Sequence, residues 1–152
     1  MPAALDARPV VAGLRGLFAR DAGRQVLLQY AADRMRSAGP PYTSVYLYML
    51  QGDELVLEAW SGRETEHTRI PVGKGVCGTA VATRQDQNVG DVRAIANYIA
   101  CNTFTRSELV VLIRRGDTIL GQIDVDSDVP DPFTTDEEEA AREVADALAV
   151  LL

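Results

Sequence analysis

The residues whose types and spacing could do chemistry are two cysteines, Cys77 and Cys101, three acids, Glu108, Asp124 and Asp126, and the single histidine, His67. Cys77 sits in the run Gly73-Lys74-Gly75-Val76-Cys77-Gly78-Thr79-Ala80. Glycines permit close backbone approach, and the helix start that follows presents free N–H groups to an anion. A thiol near that positive end would ionise more readily. A helix-entry turn holding a buried, inert cysteine fits the same run. Cys101 lies in Ile99-Ala100-Cys101-Asn102, within a polar loop. There it is either an accessible thiol or a small buried hydrophobe.

Asp124 and Asp126 are two residues apart on one extended segment, so both carboxylates fall on the same side of a sheet. Strand interiors disfavour Asp, and neighbouring like charges repel. Such a pair, with Glu108 on the preceding segment, points to a cationic ligand or to proton chemistry; a solvated face near a strand end is the alternative. His67 stands between Glu66 and Thr68 in a charged loop and reads as a solvated surface residue. Two cysteines and one histidine with no CxxC or HxxxH spacing do not predict a metal site, and no cofactor is expected.

The elements that must position these groups follow from periodicity and turn chemistry. Val10, Leu14, Leu17 and Phe18 recur at helical spacing. Asp21 can cap a second helix with Val26, Leu27, Tyr30, Ala31 and Met35 on its apolar face, ended by Gly39-Pro40-Pro41. Tyr42 to Leu50 and Glu54 to Trp60 form a hairpin about Gln51-Gly52-Asp53. A short extended piece from Arg69 to Val72 precedes a helix from Val76 to Thr83, and residues 87–105 read as a long loop with one helical turn. Strands Ser107 to Arg114 and Ile119 to Asp126 follow. In the second, Ile119, Gly121, Ile123 and Val125 alternate with Leu120, Gln122, Asp124 and Asp126, a core face against a polar one. Thr134 with Glu137 is a capping box for a last helix striped by Val144, Leu148 and Leu151. Strands joined by tight turns, with helices at both chain ends, predict an α+β fold: an antiparallel sheet of about five or six strands with the terminal helices on one face. The acids and the Cys101 loop are expected on the other.

The 152 residues and 16.5 kDa fit one domain over residues 1–152, and 47% hydrophobic with 24% charged residues is an ordinary globular balance. A net charge of −7 repels nucleic acid and anionic lipid, so neither is an expected partner. The N-terminal segment lacks the pattern of a signal peptide, and no run approaches the roughly 18 apolar residues of a membrane helix. A cytoplasmic location is expected, where two cysteines are more often free or catalytic than a staple.

The chain resembles GAF domains along nearly its whole length. Within them, five blocks in order resemble the free methionine-(R)-sulfoxide reductases: Arg69 to Ala80, Asp91-Val92, Ile99 to Cys101, Ser107-Glu108 and Ile123 to Ser127. The resemblance implies a GAF-like antiparallel sheet and reduction of free methionine sulfoxide, R at sulfur. Cys101 would be the nucleophile and Cys77 the resolving thiol, passing through a sulfenic acid and a disulfide to a thioredoxin or another dithiol. Glu108 and Asp126 would serve as acids, and Asp124, Asp91 and Tyr48 as substrate contacts. Members of this family carry a third cysteine where this chain has His67, and a tryptophan where it has Ser44; Trp60 on the next strand is the candidate replacement. A non-catalytic binding module and a cysteine redox sensor are the alternative functions. Terminal helices that pair between GAF subunits make a homodimer the expected assembly, with Val10, Leu14 and Leu17 as candidate interface residues.

Overall fold

The computed structural model describes residues 2–96, 98 and 103–152. Cys101, the expected nucleophile, lies outside them, and so does the test of which sheet face its loop covers. Two helices, α1 (Ala7–Ala19) and α2 (Arg24–Arg36), lead into the hairpin β1 (Ser44–Gln51) and β2 (Glu54–Ser61). Then come β3 (Arg69–Pro71), α3 (Gly75–Thr83), β4 (Gln87–Val89) and a 3-10 turn at Val92–Ala94. A second hairpin, β5 (Ser107–Arg115) and β6 (Thr118–Ser127), precedes α4 (Thr135–Leu151). The strands form one antiparallel sheet in the order β3-β2-β1-β6-β5-β4. This is the α+β architecture expected, with six strands.

The sheet has two buried faces of different character. Val45, Leu47 and Met49 of β1 and Ile123 and Val125 of β6 point toward α1, α2 and α4 and form the main core with Leu14, Leu28, Val144 and Leu148. Tyr46 and Tyr48 point the other way and pack in a smaller cluster with Val110, Leu112 and residues of α3. Because β1 and β6 are central, neither face of them is solvated; Ser44 to Met49 and Gly121 to Ser127 are all buried. The polar face expected on β6 is therefore polar but not wet. Its alternation also slips, since a register shift near Ile113/Arg114 accompanies Ile119 turning to the α3 side and Leu120 to the helix side.

Other local expectations fail for identifiable reasons. The N-cap of α2 is Gly23 rather than Asp21, because Asp21 is used two residues earlier in a left-handed turn at φ 63° that closes α1. Val26 is exposed, and Leu28 takes its place in the core with Leu27, Ala31, Ala32 and Met35. Gln87–Val89, read as loop, is a short edge strand on β5; three residues are too few to show a period. Val10 and Leu14 fill the chain's own core and are not left for an interface.

The capping box is made only in part. Thr134 Oγ1 accepts from the Glu137 backbone N–H, but the Glu137 carboxylate does not return the bond. It turns inward, is buried, and accepts from the backbone N–H groups of Ala4 (2.9 Å) and Leu5 (3.4 Å) and from Tyr42 Oη (2.8 Å). One side chain so ties the N-terminal segment, the entry to β1 and α4 together. Removing it strands buried donors, so Glu137→Ala should lower the unfolding free energy by about 2–3 kcal/mol, and Tyr42→Phe by about 1 kcal/mol. Urea unfolding checks both, and wild-type midpoints for both variants would show the tie to be dispensable.

Candidate active site

Register alone brings the three acids together. Glu108 of β5 pairs directly with Asp126 of β6, Val110 pairs with Asp124, and Asp124 pairs in turn with Tyr46 of β1. All three carboxyls lie on the face away from the long helices and are 4–5% exposed. The short helix α3 closes over them and delivers Cys77, also 5% exposed. Its Sγ stands 3.6 Å from Glu108 Oε2, and ligating atoms of Cys77, Glu108 and Asp124 all lie within 4.8 Å of one another.

The position of α3 depends on Gly78. A Cβ there would meet the Pro71 carbonyl oxygen at 2.5 Å, so only glycine lets the helix seat this close to β3. The Gly73 N–H donates to the Gly78 carbonyl, and Gln122 Nε2 donates to the Cys77 carbonyl at 3.4 Å. The loop between β2 and β3 is held by two tyrosines of β1: Tyr46 Oη donates to the Arg63 carbonyl and Tyr48 Oη to the His67 carbonyl, both at 2.7 Å. These contacts shape a narrow cavity of about 20 Å³ with Cys77, Glu108, Asp124 and Asp126 at its floor. That is room for about one water. Tyr48, His67, Ile70, Lys74, Val76 and Tyr98 make its walls.

Burial and crowding decide the protonation of the floor. Glu108 is pushed well above the usual carboxylate range by burial and by the charges of Asp124 and Asp126. Asp126 is raised by burial and by Asp124, partly offset by the Arg63 guanidinium. Asp124 is raised by burial but held down by hydrogen bonding with Glu108, Cys77 and Asp126. Three carboxyls this close cannot all ionise together, and burial favours the neutral form of each. Cys77 is likewise raised, first by burial and then by the three acids, which outweighs the helix-end effect expected from its position at the start of α3.

A thiol beside buried carboxyls of raised pKa in a small cavity is a site for proton-coupled sulfur chemistry, and comparison with known proteins narrows it. Residues 23–152 match the GAF domain family model. The chain is 35% identical over 147 residues to the free methionine-R-sulfoxide reductase of Escherichia coli, covering 97% of this chain and 84% of that one. The chain belongs to the GAF family, among the free methionine-R-sulfoxide reductases. Among solved structures, the Neisseria meningitidis free methionine-R-sulfoxide reductase in complex with its substrate superposes with a TM-score of 0.86 at 31% identity, over 95% of this chain and 87% of that one. The reduced form of the Staphylococcus aureus fRMsr gives 0.87 at 28% identity, over 97% and 96%.

Within this reductase fold the predicted site residues divide. Cys77, Glu108, Asp124, Asp126 and Tyr48 converge on the cavity. Asp91 does not line it: it is exposed and caps the 3-10 turn, accepting from the Arg93 N–H at 3.0 Å. Trp60 pairs with Tyr46 across the hairpin, is 40% exposed and is not among the described residues that line this cavity. His67 is the reverse correction. It is half-buried in the cavity wall rather than solvated, because Tyr48 pins its backbone. Lys74, Ile70, Val76 and Tyr98 had no individual signal in the sequence, and only tertiary packing places them at the cavity.

The raised carboxyls have a pH consequence. Their folded pKa values lie above the unfolded ones, near 4. Their contribution to stability is therefore complete below about pH 4 and is lost as pH rises through the folded values. Glu108→Gln removes one such group while keeping its shape. Its urea midpoint should fall less than that of wild type between pH 5 and pH 8, and parallel curves would mean that Glu108 ionises as readily folded as unfolded.

Proposed function

We propose that this chain reduces free L-methionine-(R)-sulfoxide to methionine. The observation that carries the reading is a thiol 3.6 Å from a carboxyl that burial and neighbouring acids push toward its neutral form, in the fold of the free methionine-R-sulfoxide reductases. A sulfoxide oxygen needs a proton as its bond to sulfur breaks, and a carboxylic acid held neutral can supply it. Glu108 and Asp126 take that role, and the charge on Asp124 suits the ammonium group of a free amino acid. Tyr48 packs on the substrate.

Cys101, by its place in the family motif, attacks the sulfoxide sulfur. The S–O bond breaks as oxygen passes to Cys101, so the products are methionine and a Cys101 sulfenic acid; one proton is lost by the thiol and one gained by the oxygen. Cys77 then displaces water from the sulfenic acid to give a Cys77–Cys101 disulfide, and a thioredoxin-type dithiol restores both thiols. With His67 in place of the third family cysteine, Cys77 is the one other thiol in the chain. The reaction runs in the cytoplasm, with residues 1–152 acting as one GAF domain, paired as a homodimer. Among the described residues no helix is long and apolar enough to cross a membrane.

The two cysteines separate in a single-turnover experiment. Without reductant, Cys77→Ser should release about one methionine per chain and stop, whereas Cys101→Ser should release none. The reverse pattern would make Cys77 the nucleophile, and no methionine from wild type would favour a binding module. In steady state, Asp126→Asn and Glu108→Gln should each lower kcat/KM by roughly tenfold to a thousandfold, as expected when a hydrogen bond to a developing charge is lost. Unchanged kinetics in both would remove the acids from the reaction.

A further inference from the structure

We propose that the cavity floor binds a thiophilic divalent cation of the Zn²⁺ class, through Cys77 Sγ and one oxygen each from Glu108 and Asp124. No linear motif announces this site, because its donors come from α3, β5 and β6 and meet only in the folded sheet. Three observations carry it.

The donor set is mixed thiol and carboxylate, and its members lie within 4.8 Å of one another. In a tetrahedral zinc site with Zn–S near 2.3 Å and Zn–O near 2.0 Å, sulfur and oxygen stand about 3.5 Å apart. Cys77 Sγ and Glu108 Oε2 stand 3.6 Å apart. Asp124 supplies the third donor from within the same 4.8 Å cluster.

Asp124 Oδ1 is buried on a side chain that lines the cavity, and no donor outside the cluster of Glu108, Cys77 and Asp126 reaches it. A buried carboxylate oxygen whose polar neighbours are two other acids and a thiol is short of a cation. A divalent ion supplies it.

The charge balance also favours an ion of this class. Ionised together without a metal, the thiolate and two carboxylates would carry three negative charges into a buried site. A divalent cation reduces that to one and takes the place of the Cys77 and Glu108 protons, which leave to solvent. Thiolate among the ligands selects zinc-like ions over magnesium or calcium, which prefer all-oxygen shells.

The experiment uses Co²⁺ as a spectroscopic stand-in on the full, reduced, metal-free chain. Wild type should bind one equivalent with a near-ultraviolet thiolate-to-cobalt band, and Zn²⁺ should abolish that band. Cys101→Ser should keep it and Cys77→Ser should lose it. Glu108→Gln and Asp124→Asn should each weaken binding at least tenfold, and these two carry the test should Cys77→Ser fail to fold by circular dichroism. No band in wild type, a band that follows Cys101 rather than Cys77, or full affinity in both carboxyl variants would overturn the site. The readout does not pass through turnover, so loss of the reductase assignment and loss of the metal site would be told apart.

Discussion

The structure turns on the burial of three carboxyl groups and a thiol against one face of a sheet, where water cannot screen them. Isolated buried carboxylates are costly, and three adjacent ones more so. The site meets that constraint by holding all three carboxyls toward their neutral form, so that they do not ionise together. Protonation here is a result of where β5 and β6 pair, since Glu108 faces Asp126 directly across the ladder. The same crowding makes the floor a source of protons and a poor place for an unpaired thiolate.

Such a face can exist because stability is gathered elsewhere. The helix side of the sheet holds the larger core, with Leu14, Leu28, Leu47, Ile123, Val144 and Leu148 closely packed and fully buried. Glu137 ties the chain's N-terminal segment into that layer. The opposite side carries a thinner cluster around Tyr46, Tyr48 and α3, and within it the tyrosine hydroxyls hold a loop rather than filling space. Division of labour between the two faces leaves the pocket side free to depart from ordinary packing.

Position, more than residue type, sets the behaviour of Cys77. At the start of α3 it is exposed to the favourable end of a helix dipole, an effect worth at most a kcal/mol or two. Full burial and three neighbouring acids act in the opposite direction and prevail. A thiol kept protonated at rest is suited to a resolving or metal-bound role, in which a partner first draws off its proton.

Periodicity and turn residues alone determined most of the elements: both hairpins, α3, the terminal helices and the α+β layering were legible because each rests on local chemistry. The i+2 spacing of Asp124 and Asp126 likewise determined that they share a face, and the family motif made Cys77, Glu108 and Tyr48 recognisable. Strand order, register and the approach of α3 decided the rest, because they depend on contacts between residues far apart in the chain. Only the tertiary structure shows that the polar face of β6 is buried, that Trp60 and Asp91 are not among the residues lining the cavity while His67 is, and that Glu137 turns inward instead of closing its capping box. Protonation belongs to the same class: a carboxyl's type is written in the sequence, but its pKa is set by desolvation and neighbouring charge, which exist only once the sheet and α3 have come together.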